Sequence, residues 1–256
     1  MSEQNGSSPA ERLAELLLSS RSTVALTGAG ISVPSGIPDF RSPGTGLWEK
    51  VDPMEVAHID VFHRDPSRFW SYYRPRFGML DDKQPNSAHE ALAELERRGL
   101  LDAVVTQNID RLHRKAGSRR VIEVHGTIET SSCVACAASY PLEQVEELFD
   151  ADGVARCTHC PGAVKPDVVL FGEMLPEGAM EEAHALAQRA ELMLCIGSSL
   201  EVYPVASLPA ATLAAGGRLA ILTKGPTPYD GEADVRIGAD VVAGLEALLE
   251  ALGTPR

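Results

Sequence analysis

Apolar and polar positions along this chain keep two rhythms in turn. Leu13, Leu16 and Leu17 recur at helical spacing behind Ser8-Pro9, where Ser caps a helix and Pro takes its first turn. Thr23-Val24-Ala25-Leu26-Thr27 then reads as a buried strand running into Gly28-Ala29-Gly30. From Pro34 to Pro53 the rhythm gives way to Gly and Pro, through Ser35-Gly36-Ile37-Pro38-Asp39-Phe40-Arg41 and Pro43-Gly44-Thr45-Gly46. Long irregular stretches inside compact domains are usually functional or mobile. Phe62 to Leu80, aromatic and basic, predicts one helix, and Asn86-Ser87 caps another through about Arg98. Short strands follow at Ala103–Thr106, ending in Gln107-Asn108-Ile109-Asp110, and at Val121–Val124, ending in His125-Gly126. After a cysteine-bearing stretch come Val168-Val169-Leu170-Phe171-Gly172-Glu173 and a helix from about Glu177 to Arg189. Leu192–Ile196 is a strand ending in Gly197-Ser198-Ser199, Leu219–Leu222 is another ending at Thr223, and a helix spans roughly Asp240 to Leu252.

Strands alternating with helices predict an α/β fold with a doubly wound, mostly parallel, Rossmann-like sheet. In such sheets ligands bind at the carboxyl ends of the strands, which is where every polar cluster just named falls. The Gly28, Gln107, His125, Gly197 and Thr223 segments are therefore expected to converge on one crevice.

At 256 residues and 44% apolar, the chain has enough material for one large domain plus a small one. A net charge of -13 argues against a nucleic-acid binder, which would carry a basic face, and modestly favours a basic peptide as partner. No apolar run approaches the ~20 residues that span a bilayer, so no membrane partner is expected. Residues 1–8 read as a disordered tail, not a signal peptide. A soluble cytoplasmic protein is expected, and a monomer.

Cys133, Cys136, Cys157 and Cys160 form a C-x2-C…C-x2-C quartet, the spacing of a structural zinc site in which each short knuckle supplies two thiolates. Two disulfides are the other reading, disfavoured in a chain without marks of secretion. One structural Zn2+ in an inserted module is the expectation. The fifth cysteine, Cys195, lies in an apolar run and reads as a small buried hydrophobe. The strand entering Gly-Ala-Gly suits close approach to a pyrophosphate, but Val33 stands where the dehydrogenase fingerprint has its third Gly or Ala. No second strand ending in an acidic residue follows at the right distance. Dinucleotide binding in an unusual pose is the reading, and a hydride-transfer enzyme is disfavoured.

Six ordered motifs together resemble the sirtuin family of NAD-dependent protein lysine deacylases, in its bacterial, catalytic-core-only form. They are Gly28-Ala29-Gly30-Ile31-Ser32, Ser35-Gly36-Ile37-Pro38-Asp39-Phe40-Arg41, Thr106-Gln107-Asn108-Ile109-Asp110 with His125-Gly126, the cysteine quartet, Phe171-Gly172-Glu173 and Gly197-Ser198-Ser199-Leu200. The resemblance implies an NAD-binding Rossmann-like domain made of residues 9–41, 86–128 and 165–256. It implies a cofactor loop and helical part of a small domain at 42–85, and a zinc module at 129–164.

The resemblance also implies roles. His125 is the general base acting on a ribose hydroxyl, a task suited to an imidazole near pH 7. Asn108 organises the nicotinamide ribose and a water, Gln107 touches that ribose, and Ile109 and Asp110 wall the nicotinamide pocket, Asp110 accepting from the carboxamide. Phe40 covers the reacting ribose face. Arg41 with the backbone of Gly28, Ala29, Gly30 and Ser32 handles phosphate charge, beside Asp39. Gly197, Ser198 and Ser199 continue the phosphate and ribose contacts. Thr223 and Lys224 reach the adenosine ribose, with Thr223 where the family often has Asn, and Asp240 and Val241 match the adenine edge. An acylated lysine peptide lies as an added strand between Val169–Glu173 and Leu200–Tyr203, with Val169, Phe171, Gly172, Glu173 and Val202 in contact with it.

The implied reaction consumes NAD as a co-substrate. The acyl oxygen attacks the ribose carbon as nicotinamide leaves, an alkylimidate forms, and His125 activates the hydroxyl that attacks it. Free lysine, nicotinamide and an O-acyl-ADP-ribose result. Tyr73 and Arg76 match a Tyr-x-x-Arg of sirtuins that remove succinyl or malonyl groups, since a buried carboxylate needs a fork-like cation; a solvated basic helix face is the plainer account, and Asp39 argues against this reading. Deacetylation is the main expectation and acidic deacylation a side activity. A mono-ADP-ribosyltransferase and a non-catalytic, NAD-sensing zinc adaptor are the competing functions.

Overall fold

The computed structural model describes residues 7–39 and 51–253. In chain order its regular elements are α1 (Pro9–Ser19), β1 (Thr23–Thr27), α2 (Pro53–Val56), α3 (Ile59–Arg64), α4 (Pro66–Asp81), α5 (Ser87–Arg97), β2 (Ala103–Thr106), α6 (Leu112–Lys115), β3 (Val121–Glu123), β4 (Gly126–Cys133), β5 (Ser139–Pro141), α7 (Leu142–Val145), β6 (Val164–Val168), α8 (Ala179–Arg189), β7 (Leu192–Ile196), α9 (Leu208–Ala214), β8 (Arg218–Leu222), β9 (Val235–Ile237) and α10 (Val241–Leu252).

Six strands form one parallel sheet in the order β3-β2-β1-β7-β8-β9. Counted within that sheet alone, this is the 3-2-1-4-5-6 order of dinucleotide-binding folds, whose winding reverses between the first and fourth strands. Here the reversal lies between β1 and β7. Period-2 alternation divides each strand between two cores. Ala25, Val104, Leu194 and Leu222 face one core with Leu13 and Leu17 of α1, Leu92 and Leu95 of α5 and Leu245 and Leu248 of α10. Val24, Leu26, Val105, Met193 and Ile221 face the other, with Leu186 of α8 and Leu208 of α9. Cys195 is fully buried in that second core, and burial pushes its thiol up to about 12.

A second, antiparallel sheet has the order β5-β4-β6. It shares an aromatic core with α3 and α4, where Phe62, Phe69, Trp70 and Phe77 pack on Ile128, Tyr140 and Val164. The indole N–H of Trp70 donates to the Val164 carbonyl at 3.1 Å.

Two expectations need correction, and some elements were not expected at all. The helix expected over Phe62–Leu80 is two helices, because Pro66 lacks the N–H that would carry α3 onward and Asp65, in a non-helical conformation at φ -150° and ψ 80°, caps α4 by accepting from the Arg68 N–H at 2.9 Å. The helix expected from Glu177 begins at Ala179, since Gly178 is left-handed at φ 74°. Strand β9 and helix α9 went unread: three residues of strand and an Ala-rich single stretch carry too little periodicity.

The switch point is closed backbone against backbone. The N–H of Gly30 donates to the Gly197 carbonyl at 2.8 Å, and that of Gly28 to Ile196 at 3.1 Å. Gly197 sits at φ 60°, and a Cβ there would lie 2.4 Å from the Ile31 nitrogen. Replacing Gly197 by Ala should therefore cost more than the ~1–2 kcal/mol of left-handed backbone alone. Gly216→Ala is the control, at φ 86° with nothing within 4 Å of its Cβ. Urea melts of the two variants should differ by at least about 1 kcal/mol, set by the steric term.

Candidate active site

At the carboxyl end of β1 the chain makes two single 3-10 turns, Ala29–Ile31 and Val33–Ser35, in place of a long helix. A Cβ on Gly28 would meet the Gly197 carbonyl and the Ser198 Cβ at 2.9 Å. The glycine pair is thus explained first by the mutual packing of the two switch-point loops.

Hydrogen bonds carry the site outward from that contact. The Gln107 side-chain amide donates to Ser198 Oγ at 3.0 Å, and its main-chain N–H to the Thr27 carbonyl at 3.0 Å. Asn108, buried, donates both amide hydrogens, to the Gly28 carbonyl and to Ser32 Oγ, each at 3.1 Å. Its side chain therefore has only the carbonyl oxygen to offer a ligand. Asp110, also buried, accepts from Ser32 Oγ at 2.6 Å and from the Leu112 N–H at 2.9 Å. Burial raises its pKa, while those bonds oppose the rise.

His125 stands where the chain leaves β3 and enters β4, between the two sheets. The turn requires Gly126, at φ 75°, where a Cβ would fall 2.0 Å from the Asp167 carbonyl. Nδ1 of His125 lies 3.1 Å from the Gln107 carbonyl oxygen. A carbonyl only accepts, so Nδ1 carries the hydrogen and Nε2 is left as a base. Burial lowers the ring's pKa, partly offset by that hydrogen bond.

Other expected residues fall as follows. Phe40 and Arg41 lie outside the described residues, and Asp39 ends the first described segment. Gly197 donates to the Leu222 carbonyl at 2.9 Å, which sets Thr223 next along the same edge. Lys224 pairs with Asp240 at 2.9 Å, and Asp240 caps α10 through the Val242 N–H, with Val241 buried behind it. Val169 donates to the His125 carbonyl at 2.9 Å. Phe171 exchanges both main-chain bonds with Ala57 and Ile59 while its ring stays exposed, and Gly172, at φ 87°, packs against the His58 ring. Glu173 accepts from Lys165 at 3.0 Å and from the Leu170 N–H at 2.8 Å. Val202 is half-buried beside exposed Tyr203. Tyr73 is stacked between Phe69 and Phe77, at ring distances of 4.5 and 5.3 Å. The Arg76 guanidinium lies 3.5 Å over the Tyr72 ring and donates to the Tyr72 carbonyl. Sequence reasoning missed His89, His113, Thr27 and Thr106, which form a buried polar cluster with Ser32. The Asn86-x-x-His89 spacing was the available signal.

The sulfur atoms of Cys133, Cys136, Cys157 and Cys160 all lie within 4.8 Å of one another. Cys133 to Cys160 is 3.4 Å and Cys136 to Cys157 is 3.6 Å. These approach the ~3.8 Å edge of a tetrahedron with ~2.3 Å metal–sulfur bonds and far exceed a disulfide's ~2.05 Å. The N–H groups of Ala135, His159 and Gly162 point at three of the sulfurs, at 3.3 to 3.4 Å. Tyr140 lies 3.1 Å from Cys157, and its hydroxyl holds that thiol down to about 6. Donors aimed at sulfur favour thiolates, so the four residues fit one structural zinc ion with no open position.

The SIR2 family model matches residues 28–204. The chain belongs to the SIR2 family. Curated relatives include an NAD-dependent protein deacetylase of Thermotoga maritima, 45% identical over 236 residues (92% of this chain, 95% of the relative). Another, from Saccharolobus solfataricus, is 46% identical over 240 residues (94% and 96%). Among solved structures, a Sir2 with p53 peptide and NAD+ superposes with a TM-score of 0.87 at 44% identity, covering 93% of this chain and 96% of that one. A Sir2 bound to acetylated peptide gives 0.87 at 43% identity (94% and 97%). The SIR2 fold thus accounts for both sheets and the cysteine cluster.

Removing the metal should undo the small sheet's core, whose members Cys133 and Cys157 touch the same cluster as Trp70. In a Trp48→Phe background, chelation should shift Trp70 emission to the red and lower the melting temperature, as a loss of several kcal/mol requires. Unchanged emission after complete zinc removal would count against a structural role.

Proposed function

We propose that this chain is an NAD-dependent protein lysine deacetylase that consumes NAD and releases free lysine, nicotinamide and an O-acyl-ADP-ribose. The observation that carries the reading is the fixed tautomer of His125, with Nε2 deprotonated at the joint between the two sheets. That nitrogen takes the proton of a ribose hydroxyl. Asn108 offers its carbonyl oxygen to the nicotinamide ribose or a water, because its amide hydrogens are spent. Asp110 accepts from the nicotinamide carboxamide, and Gln107 and Ser198 hold the ribose side. Ser199, Thr223, Lys224, Asp240 and Val241 serve the adenosine half. Arg41 meets phosphate charge and Phe40 covers the reacting face. Relatives named as NAD-dependent protein deacetylases and matched over at least 95% of their length, one solved structure with p53 peptide and NAD+ and another with acetylated peptide support this reading.

The peptide lies against the exposed Phe171 and Tyr203. The N–H groups of Val169, Leu170, Phe171 and Glu173 already have partners within the chain, so donation to a peptide strand from this segment falls to Gly172. The two sheets meet at this cleft, the large one supplying the dinucleotide side and the zinc-bearing one part of the peptide side.

A second activity, removal of succinyl or malonyl groups, rests on Tyr73 and Arg76. In its favour, the half-buried Arg76 guanidinium sits on an aromatic floor and commits one N–H to the Tyr72 carbonyl, with others left for a carboxylate. Arg76→Leu should lower kcat/KM on a succinyl-lysine peptide at least tenfold and leave the acetyl value within about twofold, a difference of ~1.4 kcal/mol. Equal values for both peptides before and after the change would eliminate this activity.

His125→Ala should lower turnover by at least about 100-fold and abolish O-acyl-ADP-ribose in the product mass spectrum. Because burial sets the ring's pKa below 6.5, kcat/KM should stay level as pH falls to 6.5 and drop only at more acid values. An ADP-ribosylated protein in place of that product would favour the transferase alternative.

A further inference from the structure

Beneath the nicotinamide side of the site, Ser32 is buried and its hydroxyl has three partners: Asp110 Oδ2 at 2.6 Å, Asn108 Nδ2 at 3.1 Å and His89 Nε2 at 3.3 Å. A hydroxyl owns one hydrogen. Asp110 accepts at both oxygens, from Leu112 and from Ser32, so the Ser32 hydrogen is spent there. Asn108 Nδ2 and His89 Nε2 must then donate to the two lone pairs of Ser32. The other nitrogen of His89 confirms the tautomer, since Nδ1 accepts from the Asn86 main-chain N–H at 3.3 Å. His89 is the third residue of α5, where a capping box ordinarily carries Glu or Gln. Asn86 also donates to the Ile31 carbonyl and to Ser35 Oγ, each at 2.9 Å, so one helix start ties down the whole 31–35 turn.

We propose that His89 is a positioning residue for the nicotinamide pocket: through Ser32 it fixes the rotamers of Asp110 and Asn108. This rests on the functional reading above. Every polar hydrogen in the relay has one destination, and reversing any bond would set two donors or two acceptors face to face. His113 braces it from behind. The two rings stand edge to face, 4.9 Å apart. His113 Nε2 lies 2.9 Å from Thr27 Oγ1, Thr27 donates to Thr106 Oγ1 at 2.9 Å, and Thr106 accepts from the Asn108 main-chain N–H at 3.1 Å. The side chain and main chain of Asn108 are thus held by two neighbouring lines. Burial keeps His89 down to about 4 and His113 to about 3, and a neutral His89 is what the proton count requires.

The test compares wild type, His89→Leu and His89→Gln as full chains, with NAD and an acetyl-lysine peptide. His89→Leu keeps the volume but loses the donor to Ser32. It should weaken nicotinamide inhibition and slow nicotinamide–NAD exchange about tenfold, with the peptide KM within about twofold, as loss of one hydrogen bond to a buried network implies. Gln can accept from Asn86 and donate to Ser32, and should restore both nicotinamide values to within about threefold. A folded His89→Leu with unchanged nicotinamide inhibition and exchange overturns the proposal, as does an equal rise in the peptide KM, which would mark a general structural defect. Should His89→Leu not fold, Ser32→Ala must show the same nicotinamide defect, or the proposal fails. A wild type that does not turn over NAD defeats the functional reading and this inference together; an active wild type with an indifferent His89→Leu defeats the inference alone.

Discussion

The whole site depends on two loops touching backbone to backbone at the switch point. Gly28 and Gly30 can approach Gly197 only because none of the three has a side chain. That contact fixes where Ser198 stands, which fixes Gln107, whose carbonyl fixes the His125 ring. It also sets the Gly28 carbonyl against Asn108. The His125 ring therefore takes its orientation from a steric constraint relayed through two hydrogen bonds. The glycines of the first loop answer to protein packing before they answer to any phosphate, and this is why the loop keeps the first two glycines of the fingerprint.

The sequence disclosed the large sheet well because its strands are buried on both faces and read as unbroken apolar runs, as at Leu192–Ile196 and Thr23–Thr27. It disclosed the metal centre because thiolate spacing is set by knuckle geometry alone. It failed at Asp65-Pro66, where an apolar and aromatic rhythm crosses a helix break without changing, and at β9, whose three residues lie on a sheet edge. His89 and His113 stayed hidden for a different reason. A histidine's meaning depends on which nitrogen faces what, and that emerges only when α5, α6 and β1 are packed together. The shared motif order singled out His125 and Asn108, but the tautomer of one and the donor count of the other are facts of three dimensions.

The zinc site lies at the far end of the strand that His125 leads into. β4 begins at Gly126, directly after His125, and ends at Cys133. Eight residue steps at about 3.3 Å put Cys133 up to roughly 26 Å from His125, too far for the metal to act at that ring. Four thiolates also leave it no position for water. What it can do is hold the far end of the strand whose near end directly follows His125. Between them β4 is paired on both sides, with β5 at Ser131 and with β6 at Gly126 and Cys133. The register slips between Gly126 and Ser131, so no unbroken ladder runs from metal to base. The near end is secured separately, by the Val169 N–H on the His125 carbonyl and by the Gln107 carbonyl on its ring. Loss of metal should thus be felt first in the aromatic core under Trp70 and only second at His125, where the bond to the large sheet persists. The zinc site holds one end of β4, and the His125 residue is tied at the other end to groups beside both sheets.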